Sequence, residues 1–81
     1  MAKQLRALGN ERRLKIMLLL IRSRLTVGDI ARSIKLSFRS TSRHLQILKQ
    51  AGLVESEQVK LFVFYRVAKD HPVFRALCNH I

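Results

Sequence analysis

Leu36–Val54 reads LSFRSTSRHLQILKQAGLV, and the reading of this stretch decides the fold. Ser37 is a good helix N-cap, and nothing breaks the helical pattern until about Gln50, after which Gly52 supplies a stop. At about 100° per residue, Phe38, Thr41, Leu45 and Leu48 fall on one side of that helix. Arg39, Arg43, Gln46 and Gln50 fall on the other, with Ser40 and Ser42 at the margins. One side can dock on a core while the other offers guanidinium and amide groups. Arg pairs bidentately with guanine edges and Gln with adenine, in a groove wide enough for a helix. On a lone helix, the same pattern is an ordinary solvated face. The neighbouring segments therefore have to decide.

Upstream, Thr26 caps a short helix with Asp29 three residues on, a capping box in which Asp replaces the usual Glu or Gln. Ile30, Ala31 and Ile34 form its inner side, and Leu36-Ser37 ends it. Two helices joined by so short a turn make a helix-turn-helix pair. Before them, Ala2–Leu8 is helical and stops at Gly9, and Asn10 caps a second helix with Glu11 in its first turn. Leu14, Met17, Leu18 and Ile21 keep i, i+3, i+4, i+7 spacing, and Ile16, Leu19 and Leu20 fill further faces. This helix is expected to be the buried centre. Downstream of Gly52 the period becomes two: Val59, Leu61, Val63, Tyr65 and Val67 alternate with Lys60, Phe62, Phe64 and Arg66. Leu53–Glu57 is the partner strand, with the turn near Gln58–Lys60. Asp70 caps a last helix reaching Ile81, with Pro72 in its first turn. The sum is an α+β chain, mostly α: a winged helix-turn-helix with a two-stranded β-hairpin wing and a C-terminal helix.

Length and composition bound the function. The 81 residues are expected to form one domain, 1–81. Sixteen Lys and Arg against five Asp and Glu give a formal charge of +11, which favours a polyanion: DNA, RNA or an anionic membrane. Charge alone does not choose among these. The longest apolar run, Ile16–Ile21, is far short of the roughly 20 residues a membrane span needs, so no membrane partner is expected. The one cysteine, Cys78, excludes an intrachain disulfide and, with no secretory leader pattern at the start, fits the cytoplasm. Acids are few and scattered, and neither a nucleophile–base pair nor a Gly-rich phosphate loop is present, so no catalysis is expected. A short inter-helix turn, a following hairpin and a large positive charge coincide. Together they favour double-stranded DNA over a merely wet helix face. The alternative is an RNA-binding or ribosome-associated winged helix, although the basic face lacks interleaved stacking aromatics.

Several stretches resemble the ArsR/SmtB-type repressors. They are Leu5-x-x-Leu8-Gly9-Asn10-x-x-Arg13-Leu14-x-Ile16, then Leu25-Thr26-Val27-Gly28-Asp29-Ile30-Ala31. The recognition helix and its exit, Leu36-Ser37-x-x-x-x-Ser42-Arg43-His44-Leu45-x-x-Leu48-x-x-Ala51-Gly52-Leu53-Val54, match best, and Val63-Phe64-Tyr65-Arg66-Val67 resembles the strand closing the wing. The resemblance implies a homodimeric transcriptional regulator, a repressor, with two recognition helices in successive major grooves. It implies DNA contacts from Ser37, Arg39, Ser40, Ser42, Arg43 and Gln46, the serines to phosphates and the longer side chains to bases or backbone. The last helix carries an apolar stripe, Val73, Phe74, Leu77 and Ile81, which with Leu5 and Leu8 reads as a dimer seam.

The sequence also departs from that pattern. The family's cysteine pair would fall at Thr26 and Gly28, neither a useful metal ligand. At the C-terminal end, His71, Cys78 and His80 are too few, so no metal or other cofactor is expected and Cys78 reads as a small buried hydrophobe at the dimer contact. The wing tip holds Lys60 where Arg and Gly are usual, while Glu55 and Glu57 would repel phosphate if they faced it. The wing thus contributes through Lys60 alone or serves to hold the fold. Phe38 is expected to pack on Val27 or Ile30, the other option being a thymine methyl. His44 is expected to pack at a helix–strand junction.

Overall fold

The computed structural model describes the backbone of residues 2–68 and the side chains of residues 5–68. The elements run α1 (Ala2–Leu8), α2 (Glu11–Arg22), β1 (Leu25–Thr26), α3 (Val27–Ile34), α4 (Phe38–Gln50), β2 (Val54–Val59) and β3 (Phe62–Val67). The expected last helix, with Val73, Phe74, Leu77 and Ile81 of the seam and His71, Cys78 and His80, lies outside the described residues.

Local chemistry sets the helix boundaries. Asn10 Oδ1 accepts from the backbone N–H groups of Arg12 (2.9 Å) and Arg13 (3.2 Å), opening α2. Thr26 Oγ1 accepts from Asp29 N at 3.2 Å while Asp29 Oδ2 accepts from Thr26 N at 3.4 Å, so the shorter acid still closes the capping box. The Thr26 hydroxyl first, then the Thr26 backbone N–H and the Arg32 guanidinium, act on the Asp29 carboxyl and hold it below its usual pKa. Lys35 ends α3 in the left-handed region, φ 55°, and Gly52 takes φ 77° after α4, a conformation that glycine adopts without strain.

The sheet is antiparallel with order β1-β3-β2. Val54↔Val67 through Val59↔Phe62 pair the hairpin, and Leu25↔Tyr65 and Thr26↔Phe64 add a third strand, so the sheet is more than the two-stranded wing expected. The turn is Lys60-Leu61, a little beyond the expected Gln58–Lys60. The favoured two-residue hairpin turns take positive φ at their first central residue, and Lys60 has φ 57°.

Ile16, Met17, Leu20, Ile30, Leu45, Leu48, Leu53, Val54, Tyr65 and Val67 form the core, with Ala7 and Ala51 at its margin. This corrects the expectation for α2. Its buried face is Ile16, Met17 and Leu20, while Leu14, Leu18 and Ile21 are exposed. Six consecutive apolar residues leave several equally greasy faces, and the packing of α3 and β3 selects one of them. Arg13 ties the amino-terminal helices together: its Nε donates to Ala7 O at 2.7 Å and its Nη2 to Arg6 O at 3.2 Å, the latter carbonyl also accepting from Gly9 N.

Candidate nucleic-acid interface

Helix α4 holds its first turn firmly. Ser37 Oγ accepts from Ser40 N at 3.1 Å, and the buried Thr41 donates from Oγ1 to Ser37 O at 2.8 Å. Thr41, Leu45 and Leu48 are sealed inside, which turns Arg39, Arg43, Gln46 and Gln50 outward as the helical period requires. Arg39 and Arg43 are exposed, and neither makes an ion pair or hydrogen bond to another described residue. Ser40 and Ser42 are half-buried at the edges of this face. Gln46 Nε2 stands 3.5 Å from Tyr65 Oη, a long contact that leaves its amide free to turn outward.

Phe38, expected to pack on Val27 or Ile30, is not buried. It is 64% exposed on the opening turn of α4, beside Arg39. With Ser37 as the cap, position 38 lies on the rim rather than under the helix, and Thr41 takes the inner place. His44 also differs from expectation. It lies against helix α2, its Nδ1 3.5 Å from Arg13 Nη1, rather than at a helix–strand junction. Burial first, then the charges of Arg13, Arg12 and Arg43, hold its pKa below 6.5.

The wing is coupled to α4 by Lys49 Nζ donating to Ser56 Oγ at 2.7 Å. Its acids are matched. Arg66 donates to Glu57 at 2.6 Å and to Glu55 at 3.4 Å, and Arg24 donates to Glu57 at 3.0 Å while lying 4.8 Å over the Phe64 ring. Glu57 first, then Glu55, raises the Arg66 pKa. The repulsion expected of these two acids is therefore offset within the sheet. Sequence reading missed the partnership because Arg24 stands 33 residues from Glu57 and comes near only once β1 pairs with β3. Lys60 is exposed at the tip, its carbonyl approached by Gln58 Nε2 at 3.4 Å. Of the seam residues, Leu5 is exposed on α1, whereas Leu8 is half-buried against the molecule's own core.

Residues 10–56 match the family described as "Bacterial regulatory protein, arsR family". The chain belongs to the ArsR family. Its ArsR-family relatives include the transcriptional activator HlyU of Vibrio cholerae, 38% identical over 64 residues, 79% of this chain and 59% of the relative. A Synechocystis transcriptional repressor, an SmtB homolog, is 34% identical over 83 residues, 100% of this chain and 63% of the relative. The chain thus spans about three fifths of the length of these two relatives. Among solved structures, HlyU from Vibrio cholerae superposes with a TM-score of 0.86 at 32% identity, covering 98% of this chain and 84% of the other. A homodimeric winged helix-turn-helix DNA-binding domain from Mycobacterium bovis also gives 0.86, at 33% identity over 98% and 71%.

Two further features bear on how this ArsR-family chain works. Thr26 spends its hydroxyl on capping α3, and neither it nor Gly28 carries a metal-ligating side chain. Among the described residues no group of three or more His, Cys, Asp or Glu could hold a metal, and no helix is long and apolar enough to cross a membrane.

Proposed function

We infer that this chain is a sequence-specific regulator of transcription that binds double-stranded DNA as a homodimer in the cytoplasm, without catalysis. The observation that carries this reading is the outward face of α4: two unpaired guanidinium groups, Arg39 and Arg43, followed along the same face by Gln46 and Gln50, on a chain of net charge +11. Charged groups left without an internal partner on a rigid helix are available for phosphates and base edges. In this reading α4 enters the major groove. Arg39, Arg43 and Gln46 reach bases or backbone, Ser37, Ser40 and Ser42 meet phosphates, and Lys60 adds a phosphate contact from the wing. Phe38 is placed to meet a thymine methyl. The exposed Leu5 and the apolar residues of the C-terminal segment close the dimer. The relatives include both an activator and repressors, and repression follows wherever the bound site overlaps a promoter.

The test is selection of bound duplexes from a random library, followed by gel-shift titration. Arg43→Ala is expected to cost about 1–3 kcal/mol on the selected site and to relax base preference. Lys60→Ala should weaken all sequences alike and reduce the salt slope by about one. Equal losses for Arg43→Ala on selected and random DNA would refute base reading by α4.

A further inference from the structure

The outer hairpin exposes three consecutive apolar residues, Leu61 at 94%, Phe62 at 60% and Val63 at 42%. A run of this kind in water marks a surface that another molecule is meant to cover. Its exposure is set by the backbone. Leu61 is the second residue of the turn, and β1 supports β3 only at Phe64 and Tyr65, so the tip projects past the three-stranded part of the sheet. The tip is also braced. The Phe62 ring leans on Phe64, centroids 6.4 Å apart, and Arg24 covers Phe64 at 4.8 Å.

The charge around the tip selects the class of partner. Glu55 and Glu57 are matched by Arg66 and Arg24, which leaves Lys60 as the uncompensated charge beside Leu61. A cation next to bare apolar side chains suits a target with phosphates outside and stacked rings inside, which describes the minor groove of a duplex. Lys49 fastens Ser56 to α4, and from Ser56 the strand runs three residues to Val59, about 10 Å at roughly 3.4 Å per residue, before the Lys60-Leu61 turn carries the tip past α4.

We propose that Leu61 and Phe62 form an apolar wedge that enters the minor groove beside the α4 site and parts a base step there, with Lys60 on the adjoining phosphate. The proposal rests on the DNA-binding reading of α4. Leu and Phe side chains inserted in this way unstack a step and bend the duplex. Pyrimidine–purine steps such as TA and CA yield most easily, so the wedge adds preference at positions that no hydrogen bond reads.

The test uses the full chain and duplexes selected from a random library, carrying 2-aminopurine at the flanking step. Wild type is expected to raise the 2-aminopurine fluorescence several-fold on binding. The L61S/F62S variant should leave it dark and bind about tenfold more weakly to a TA-flanked site. Both proteins should bind alike when a stiff A-tract flanks the site. Leu61 and Phe62 lie outside the core, and an unchanged circular dichroism melt confirms that the variant is folded. Binding by wild type without brightening, or equal binding and brightening by the variant, overturns the wedge and leaves the α4 reading standing. A change in sedimentation on substitution assigns the tip to contact between copies and also overturns it. Wild type that binds no duplex at any salt concentration removes both.

Discussion

Helix α4 and the outer half of the hairpin each keep the period of their element, yet α4 beyond its opening Phe38 hides its large apolar residues and the outer hairpin does not. Thr41, Leu45 and Leu48 have α2, α3 and β2 opposite them, so alternation becomes burial. In the hairpin the same holds near the base, where Val54, Tyr65 and Val67 are buried. It fails from Val63 outward, where Leu61, Phe62 and Val63 are exposed. Period specifies the element; burial requires a facing surface. In the outer hairpin that surface is missing among the described residues, and in α4 the missing surface is the one its charged side would meet.

The largest effect should come from the inner side of α4. Leu45→Ala removes a fully buried side chain and is expected to lower stability by about 3 kcal/mol, read by urea denaturation. A loss below about 1 kcal/mol would mean that α4 is less firmly seated than the contrast with the hairpin requires. A smaller effect belongs to the flank of α4. Folding lowers the pKa of His44, so the unfolded chain binds the proton more readily. Stability from this group therefore rises with pH between the lowered value and 6.5 and is flat above. The Tm should fall on acidifying from about pH 7.5 to about pH 5.5, and His44→Gln should flatten that slope; an unaltered slope in the variant would place the titration elsewhere. The smallest effect is expected at the wing tip, where Leu61→Ser should move stability by no more than about 0.5 kcal/mol. A loss of several times that size would mean that the tip is packed after all and would erase the contrast.

Much of the fold is legible in short side chains at helix starts. Asn10, Thr26 and Ser37 each cap as their chemistry predicts, because a cap is a local bargain between one side chain and the next few N–H groups. The outward set Arg39, Arg43, Gln46 and Gln50 is likewise legible, since helical geometry and three buried neighbours determine it. What the residues do not reveal depends on distant partners. Strand β1 has only two residues and no period of its own; it exists because Leu25 and Thr26 lie beside Tyr65 and Phe64. The buried face of α2 is ambiguous within Ile16–Ile21, and the neutralisation of Glu57 needs Arg24 from across the sheet. Phe38 was misassigned because one ring at a helix start can lie under the helix or on its rim, and the cap geometry at Ser37 decides.

Both non-glycine residues that adopt positive φ among the described residues are lysines, Lys35 between the helices of the motif and Lys60 at the hairpin corner. Glycine would occupy either corner with about 1 kcal/mol less steric strain. A Lys35→Gly, Lys60→Gly double variant should accordingly melt later while gripping polyanions less tightly, measured by thermal unfolding and by duplex affinity. In these two corners the molecule gives up heat resistance to keep its cations forward, a compromise between durability and adhesion that a redesign for robustness alone would undo.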